Sequence, residues 1–264
     1  MERLLGRHAV LEALRAGRTL GKVYLVEGIR PAPEVEEILR RCRLHSVPVV
    51  RVGRRALDRM AGSLPHQGLL ALAAARPPLD LTGLLERSGA EPCLVLLDGL
   101  QSPQNLGAIL RSAEAAGAAG VVIPERRSAG PSEGVARASA GAVERLPVVR
   151  VSSLPAALLA LDRRGFRVVG AVPTGGTPHT RARLAGPLAL VIGSEARGLG
   201  ALVRERCHEL VSIPMRGRAA SLNAAVAASV LLFERLRQLS PRGEGAEPPP
   251  PGPRLGPRPP RFDG

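Results

Sequence analysis

Three stretches carry residues whose types and spacing suit chemistry. The first is Asn105-Leu-Gly-Ala-Ile-Leu-Arg111, which follows a turn through Ser102-Pro103. Asn105 reads either as the cap of the helix that opens there or as a polar group of a site. Arg111 has small neighbours at helical spacing, Gly107, Ala108 and Ala115, which leave room for a ligand to approach its charge. The plainer reading is a solvated surface arginine. The second stretch is Gly193-Ser-Glu-Ala-Arg-Gly198, where Gly193 lets a ligand near the backbone and Glu195 can orient a polar group or pair with an arginine. The third is Ile213-Pro-Met-Arg-Gly-Arg-Ala-Ala-Ser-Leu-Asn223, which runs into an alanine-rich segment that Ser221 can cap. The free N–H groups of such a helix start suit a carboxylate or phosphate, and Arg216 and Arg218 lie just ahead of it. None of these is a GxGxxG fingerprint or a GxxxxGK[ST] phosphate loop, so the usual dinucleotide and nucleotide-triphosphate readings lose support.

The elements that position these residues alternate. Leu188–Ile192 and Glu209–Ile213 are apolar runs that end in polar loops, the place where parallel α/β sheets bind ligands. Cys93–Leu97 and Gly120–Ile123 are further buried-type strands. Strands at 146–151 and 166–172, with helices over 105–116, near 132–140 and over 154–164, complete a mainly parallel sheet covered on both faces. In the last helix Leu222, Ala225, Val226, Ser229, Phe233 and Leu236 form the expected buried stripe. Ahead of this unit, residues 1–75 read as αβαβαβ: helices at 6–17, 33–45 and 54–61, strands at 22–26, 47–52 and 68–73. Arg76-Pro-Pro opens a stiff connector over 76–91, and 92–240 is the second domain. Residues 241–264, rich in Pro, Gly and Arg, read as a disordered tail whose deletion should leave thermal stability nearly unchanged.

The net charge is +14, and Lys22 is the only lysine. GC-rich coding explains arginine over lysine but not the excess of bases over acids, so a polyanionic partner, nucleic acid first, is expected. With Tyr24, Phe166, Phe233 and Phe262 the only aromatics, arginines must supply phosphate contacts and much of any stacking. Cys42, Cys93 and Cys207 are isolated, without CxxC or HExxH spacing, so neither a metal site nor a disulfide framework is expected, and a cytoplasmic setting fits. No run has signal-peptide or membrane-spanning length.

Taken together, N-L-G-A-I-L-R at 105–111, I-G-S-E-A-R-G-L at 192–199 and I-P-M…S-L-N at 213–223 resemble the SpoU (TrmH) family of RNA ribose 2′-O-methyltransferases, of the SPOUT class. Ala138–Pro147 is also similar to that family. Gly6-Arg-His-Ala-Val10 and His66-Gln-Gly68 resemble the small ribosomal-protein-like substrate-binding domain that some members carry. The resemblance covers residues 3 to about 239. It implies an α/β fold whose C-terminal sheet is tied in a deep trefoil knot, with the Gly193 and Pro214 loops forming it, where topology rules alone give an ordinary doubly wound sheet. It also implies a homodimer, with the alanine-rich helix as the candidate interface.

The implied cofactor is S-adenosyl-L-methionine, at Val172, Ile192, Gly193, Ile213, Pro214, Met215 and Leu222. The implied catalytic residues are Asn105, Arg111, Glu195, Ser221 and Asn223. The family assigns Arg111 as the base for the ribose hydroxyl. A guanidinium rarely loses a proton, so the alternative is a cation that holds phosphate and stabilises the developing alkoxide. The family often has Asp where Ser102 stands. The implied reaction is methylation of a guanosine ribose in 23S rRNA. The alternatives are a transfer-RNA substrate, or a non-catalytic RNA-binding assembly protein that keeps the fold.

Overall fold

The computed structural model describes residues 1–62, 65–74, 79–130 and 132–240. Arg76-Pro77-Pro78 of the expected connector and the expected tail lie outside these residues.

The first unit runs β1 (Glu2–Leu5), α1 (Arg7–Arg15), β2 (Leu20–Val26), α2 (Pro33–Leu44), β3 (Val49–Val52), α3 (Arg54–Ala61) and β4 (Leu69–Ala73). Its sheet has the order β1-β4-β2-β3. Strand β1 is absent from the sequence reading, because four residues that begin Glu-Arg carry no apolar alternation. It forms by lying antiparallel along β4, from Glu2 opposite Ala73 to Leu5 opposite Leu70. Strands β2 and β4 are also antiparallel, so the unit is mixed. Val10, Leu11 and Leu14 of α1 and Val35, Ile38 and Cys42 of α2 share one core with Leu69 and Ala71 of β4.

Helix α4 (Leu81–Glu86) stands where a bare connector was expected. Asp80 caps it by accepting from Gly83 N at 2.7 Å, and Leu84 is buried in one core with Leu94, Leu96, Val122 and Val149. The described end of the connector is therefore built into the second unit.

That unit contains β5 (Cys93–Asp98), α5 (Pro103–Ala115), β6 (Gly120–Pro124), α6 (Glu133–Ala138), α7 (Ala142–Arg145), β7 (Val148–Val151) and α8 (Leu154–Asp162). It continues with β8 (Arg167–Ala171), β9 (Thr177–Pro178), β10 (Leu188–Gly193), α9 (Ala201–Glu205), β11 (Glu209–Ser212) and α10 (Ala224–Leu239). The sheet order is β7-β6-β5-β10-β8-β11-β9, and every neighbouring pair is parallel. Both faces are covered, which is why the strand sequences are continuously apolar. Cys93, Val95 and Leu97 of β5 face the α5 and α10 side, while Leu94 and Leu96 face the α8 side. The chain steps outward from β5 to β7, then resumes beyond β10, so strand order reverses where β5 meets β10. That reversal point, with Gly193 opposite Asp98, is where an open α/β sheet leaves a crevice at its carboxyl edge.

Two expectations about α10 are corrected. Its cap is Asn223, whose Oδ1 accepts from Ala225 N at 2.8 Å and Val226 N at 3.4 Å; Ser221 lies outside the helix. Its buried face is Ala224, Ala225, Ala228, Leu231 and Leu232. Leu222, Val226, Phe233 and Leu236, expected in the buried stripe, are 38, 49, 48 and 39% exposed.

Candidate active site

The site is built where α5, the loop after β10 and the start of α10 meet. Ser102 caps α5, accepting from Asn105 N at 3.3 Å, and Pro103 opens the first turn. Asn105 is therefore not the cap, and its carboxamide is left for other work. Its Nδ2 donates to Glu195 Oε1 at 2.5 Å, and its Oδ1 accepts from Asn223 Nδ2 at 3.1 Å. Residues 90 and 118 positions apart along the chain thus form one line, Asn223 to Asn105 to Glu195. The line orients itself. The α10 N–H groups can only donate, so they claim Asn223 Oδ1 and turn its Nδ2 to Asn105. The Glu195 carboxylate accepts only, so it claims Asn105 Nδ2. The Ser229 hydroxyl donates to Ala225 O at 2.7 Å and accepts from Ser112 Oγ at 2.7 Å, which ties α10 to α5.

The loop carrying Glu195 is a tight reversal. Ser194 N donates to Gly198 O at 3.1 Å and Gly198 N returns to Ser194 O at 2.9 Å. A Cβ on Gly193 would stand 2.2 Å from the Gly198 carbonyl carbon. The sequence reading gave the space beside Gly193 to a ligand; the loop's own backbone fills it. Gly198 completes the turn at φ 63°. Asp98, at the end of β5, accepts from Gly200 N at 2.7 Å and pins the far side of the loop. Sequence reasoning gave Asp98 no role. Its signal was there: the one charge terminating a buried apolar run.

Six of the seven expected cofactor positions fall at the carboxyl ends of three adjacent strands, and Leu222 lies in the loop before α10. Val172 follows β8 and donates its N–H to Val211 O at 2.9 Å. Ile192 and Gly193 end β10. Ile192 is 2% exposed in the α5 and α10 core, so only its main chain can face a ligand. Ile213 to Met215 follow β11, with Ile213 and Met215 half-buried and Pro214 exposed. The N–H groups of Ile213, Met215 and Leu222 make no hydrogen bond among the described residues. Apolar side chains with unspent main-chain donors make a surface suited to the polar edge and flat face of a nucleobase.

Arg111 and Ser221 stand apart from the Asn105 line. Six residues on, Arg111 lies about 9 Å further along α5 and about 120° around it. It is exposed, without a hydrogen bond or ion pair among the described residues. The room expected beside it at Gly107 is taken by α6, since a Cβ on Gly107 would lie 2.3 Å from Ala138 Cβ. Ser221 is exposed in the loop before Asn223. Among the described residues no group of three His, Cys, Asp or Glu is placed to hold a metal, and no helix is long and apolar enough to cross a membrane. Burial pushes the Cys93 and Cys207 thiols up to about 11, which removes them as nucleophiles near neutral pH.

Comparison with known proteins gives the family. Residues 92–233 match the SpoU rRNA Methylase family, and residues 3–79 match the RNA 2′-O ribose methyltransferase substrate binding domain. A TrmH-family tRNA/rRNA methyltransferase relative from Staphylococcus haemolyticus is 39% identical, over 92% of this chain and 98% of its own. YacO of Bacillus subtilis, named to the same family, is 38% identical over 91% and 97%. The crystal structure of the SpoU methyltransferase AviRb from Streptomyces viridochromogenes, in complex with the cofactor AdoMet, superimposes with a TM-score of 0.76 at 28% identity, covering 89% of each chain. An AdoMet-bound rRNA methyltransferase from Sinorhizobium meliloti gives 0.73 at 26% identity, covering 90% and 88%. The chain belongs to the SpoU family of RNA methyltransferases, with a substrate-binding domain ahead of the methylase domain.

Proposed function

We propose that this protein methylates a ribose 2′-hydroxyl of RNA with S-adenosyl-L-methionine as donor, and that its substrate is a guanosine of 23S rRNA. The observation that carries the reading is the line from Asn223 through Asn105 to Glu195, taken with the unspent main-chain donors of Ile213, Met215 and Leu222 among the described residues. Those donors, with Val172, Ile192 and Gly193, would hold the cofactor. When bound, it supplies an electrophilic methyl group. The new bond is O2′–CH3, the bond broken is S–CH3, and the hydroxyl proton must leave. Arg111 supports the developing alkoxide with its guanidinium, while the proton passes to phosphate or water. Glu195 and Asn223 fix the Asn105 carboxamide against the ribose, and Ser221 lies in the loop that leads into Asn223.

Ribosomal over transfer RNA is favoured by the first unit. The rRNA methyltransferase of Sinorhizobium meliloti matches 90% of this chain. A structure concerned with C/U34 methylation on tRNA, and a TrmH/SpoU tRNA modifying enzyme from A. aeolicus, match only 57% and 59%. We further assign a cytoplasmic homodimer joined through the exposed α10 face, and a trefoil knot formed by the loops after Gly193 and Pro214. The test is transfer of labelled methyl to bacterial rRNA and, separately, to tRNA. Wild type should label rRNA at ribose, and Arg111→Ala and Asn105→Ala should lower kcat by about 10²-fold or more. Label on tRNA alone, or undiminished transfer by Arg111→Ala, would overturn the reading.

A further inference from the structure

The loop after β6 carries Glu125-Arg126-Arg127-Ser128 at the same sheet edge as the Asn105 line. Strand β6 is the direct neighbour of β5. The loop is anchored at both ends. Glu125 N donates to Val151 O at 2.9 Å, and Arg150 Nη2 donates to Glu125 O at 2.6 Å. At the other end Ala129 N donates to Leu100 O at 2.7 Å, joined by Ser128 Oγ at 3.4 Å. Between these anchors Arg127 is held at φ 58°, a left-handed conformation uncommon for a side chain of its size. The loop and the turn that presents Glu195 both border Gly99, where a Cβ would lie 3.8 Å from Arg127 O and 4.0 Å from Ser194 Cβ.

The side chains of Arg126 and Arg127 are exposed, with no hydrogen bond or ion pair among the described residues. The Glu125 carboxylate adjoins them, leaving the loop net positive, and Arg150 beneath adds a further charge. Two unpaired guanidiniums on a doubly anchored loop differ from Arg15 of α1 and Arg41 of α2, which are spent on Glu12 and Glu37. Held beside a site for a ribose, they match what a phosphodiester requires: a fork of donors and a charge, pre-placed.

We propose that Arg126 and Arg127 grip the RNA backbone phosphates next to the methylated ribose, so that the strand crosses the β6 loop on its way to Asn105. This rests on the proposed function for its ribose but is tested through binding alone. The probe is total 23S rRNA, titrated against the full chain at several salt concentrations. Arg126→Gln with Arg127→Gln should weaken binding roughly tenfold and reduce the salt slope of log K by about two, one contact per residue. Arg126→Lys with Arg127→Lys should restore most of both. In the transfer assay the Gln pair should raise KM for RNA with kcat within about twofold and S-adenosylmethionine affinity unchanged. An unchanged salt slope in a Gln pair that melts with wild type overturns the proposal, as does a Lys pair no better than the Gln pair. Absence of methyl transfer by wild type would count against the proposed reaction, while the binding isotherms still decide the arginines.

Discussion

Asn223 does two jobs with the two ends of one carboxamide. Its oxygen caps α10 and its nitrogen reaches Asn105. Asp at this position keeps the cap acceptor and loses the donor, so the jobs separate. Asn223→Asp should melt close to wild type yet lose about 10²-fold in kcat, by analogy with removal of one preorganised donor. Asn223→Ala should lose the same activity and about 1 kcal/mol of stability besides. Equal activity in the Asp variant would show that the line to Asn105 is incidental. The residue types were legible in the sequence, because Asn105, Glu195 and Asn223 each sit in a motif. Their partnership was not, since Asn is a good helix cap at both places and only folding shows that Ser102 takes one cap and Asn223 the other. Gly193 was recognised for the wrong cause: a glycine's missing Cβ reads the same whether a ligand or the chain itself fills the space.

Helix α10 shows why periodicity predicts an element better than its orientation. Ala224, Ala225, Ala228, Leu231 and Leu232 lie on one side and Val226, Phe233 and Leu236 on another. With apolar residues on both sides, a moment cannot say which turns inward; the smaller side packs against α5 and β10. The larger side is then free to meet a second copy. Phe233→Glu should shift sedimentation from dimer to monomer while the monomer's fold survives, because Phe233 is 48% exposed within one chain. A dimer that persists would place the interface elsewhere.

The polar edge of α10 holds the segment between β9 and β10. Gln238 Oε1 accepts from Leu184 N at 2.9 Å and its Nε2 donates to Ala182 O at 3.0 Å, while Arg235 donates to Gly186 O at 3.2 Å. Glu234 accepts from Gln238 Nε2 and from Arg237, and the Arg237 hydrogen bonds hold its carboxyl at about 2. A carboxyl depressed in the folded state stabilises above its unfolded value near 4.5, and that contribution is lost as pH falls toward about 2. Glu234→Gln should therefore lower Tm at pH 7 and converge with wild type near pH 2. A constant difference across that range would show that the carboxylate charge plays no part.

At the scale of the molecule, the two units face each other across ion pairs the sequence could not reveal, since the partners lie more than a hundred residues apart. Arg18 meets Glu144 at 3.0 Å with side chains 6 and 5% exposed, and also pairs with Glu2. Arg145 pairs with Glu12 across the same boundary and with Glu114 at 2.7 Å. A Cβ on Gly141 would lie 2.4 Å from Glu12 Cγ, so α1 and the start of α7 approach to van der Waals limits. Beside this clasp opens a cleft of about 1060 Å³ lined by His8, Gln67, Arg87 and Arg137 among others. The clasp predicts one preferred arrangement of the two units. The Arg18 and Glu144 pair is nearly dry, so moderate salt should screen it little, whereas Arg145, 36% exposed, should respond. Scattering from wild type should fit the closed arrangement at low and moderate salt alike. Arg18→Ala with Arg145→Ala should enlarge the radius of gyration without lowering the melting temperature of the methylase sheet, whose core the clasp does not enter. A wild type that scatters as an ensemble, or a double variant that scatters as wild type, would mean that the units are joined by their connector and not by these pairs.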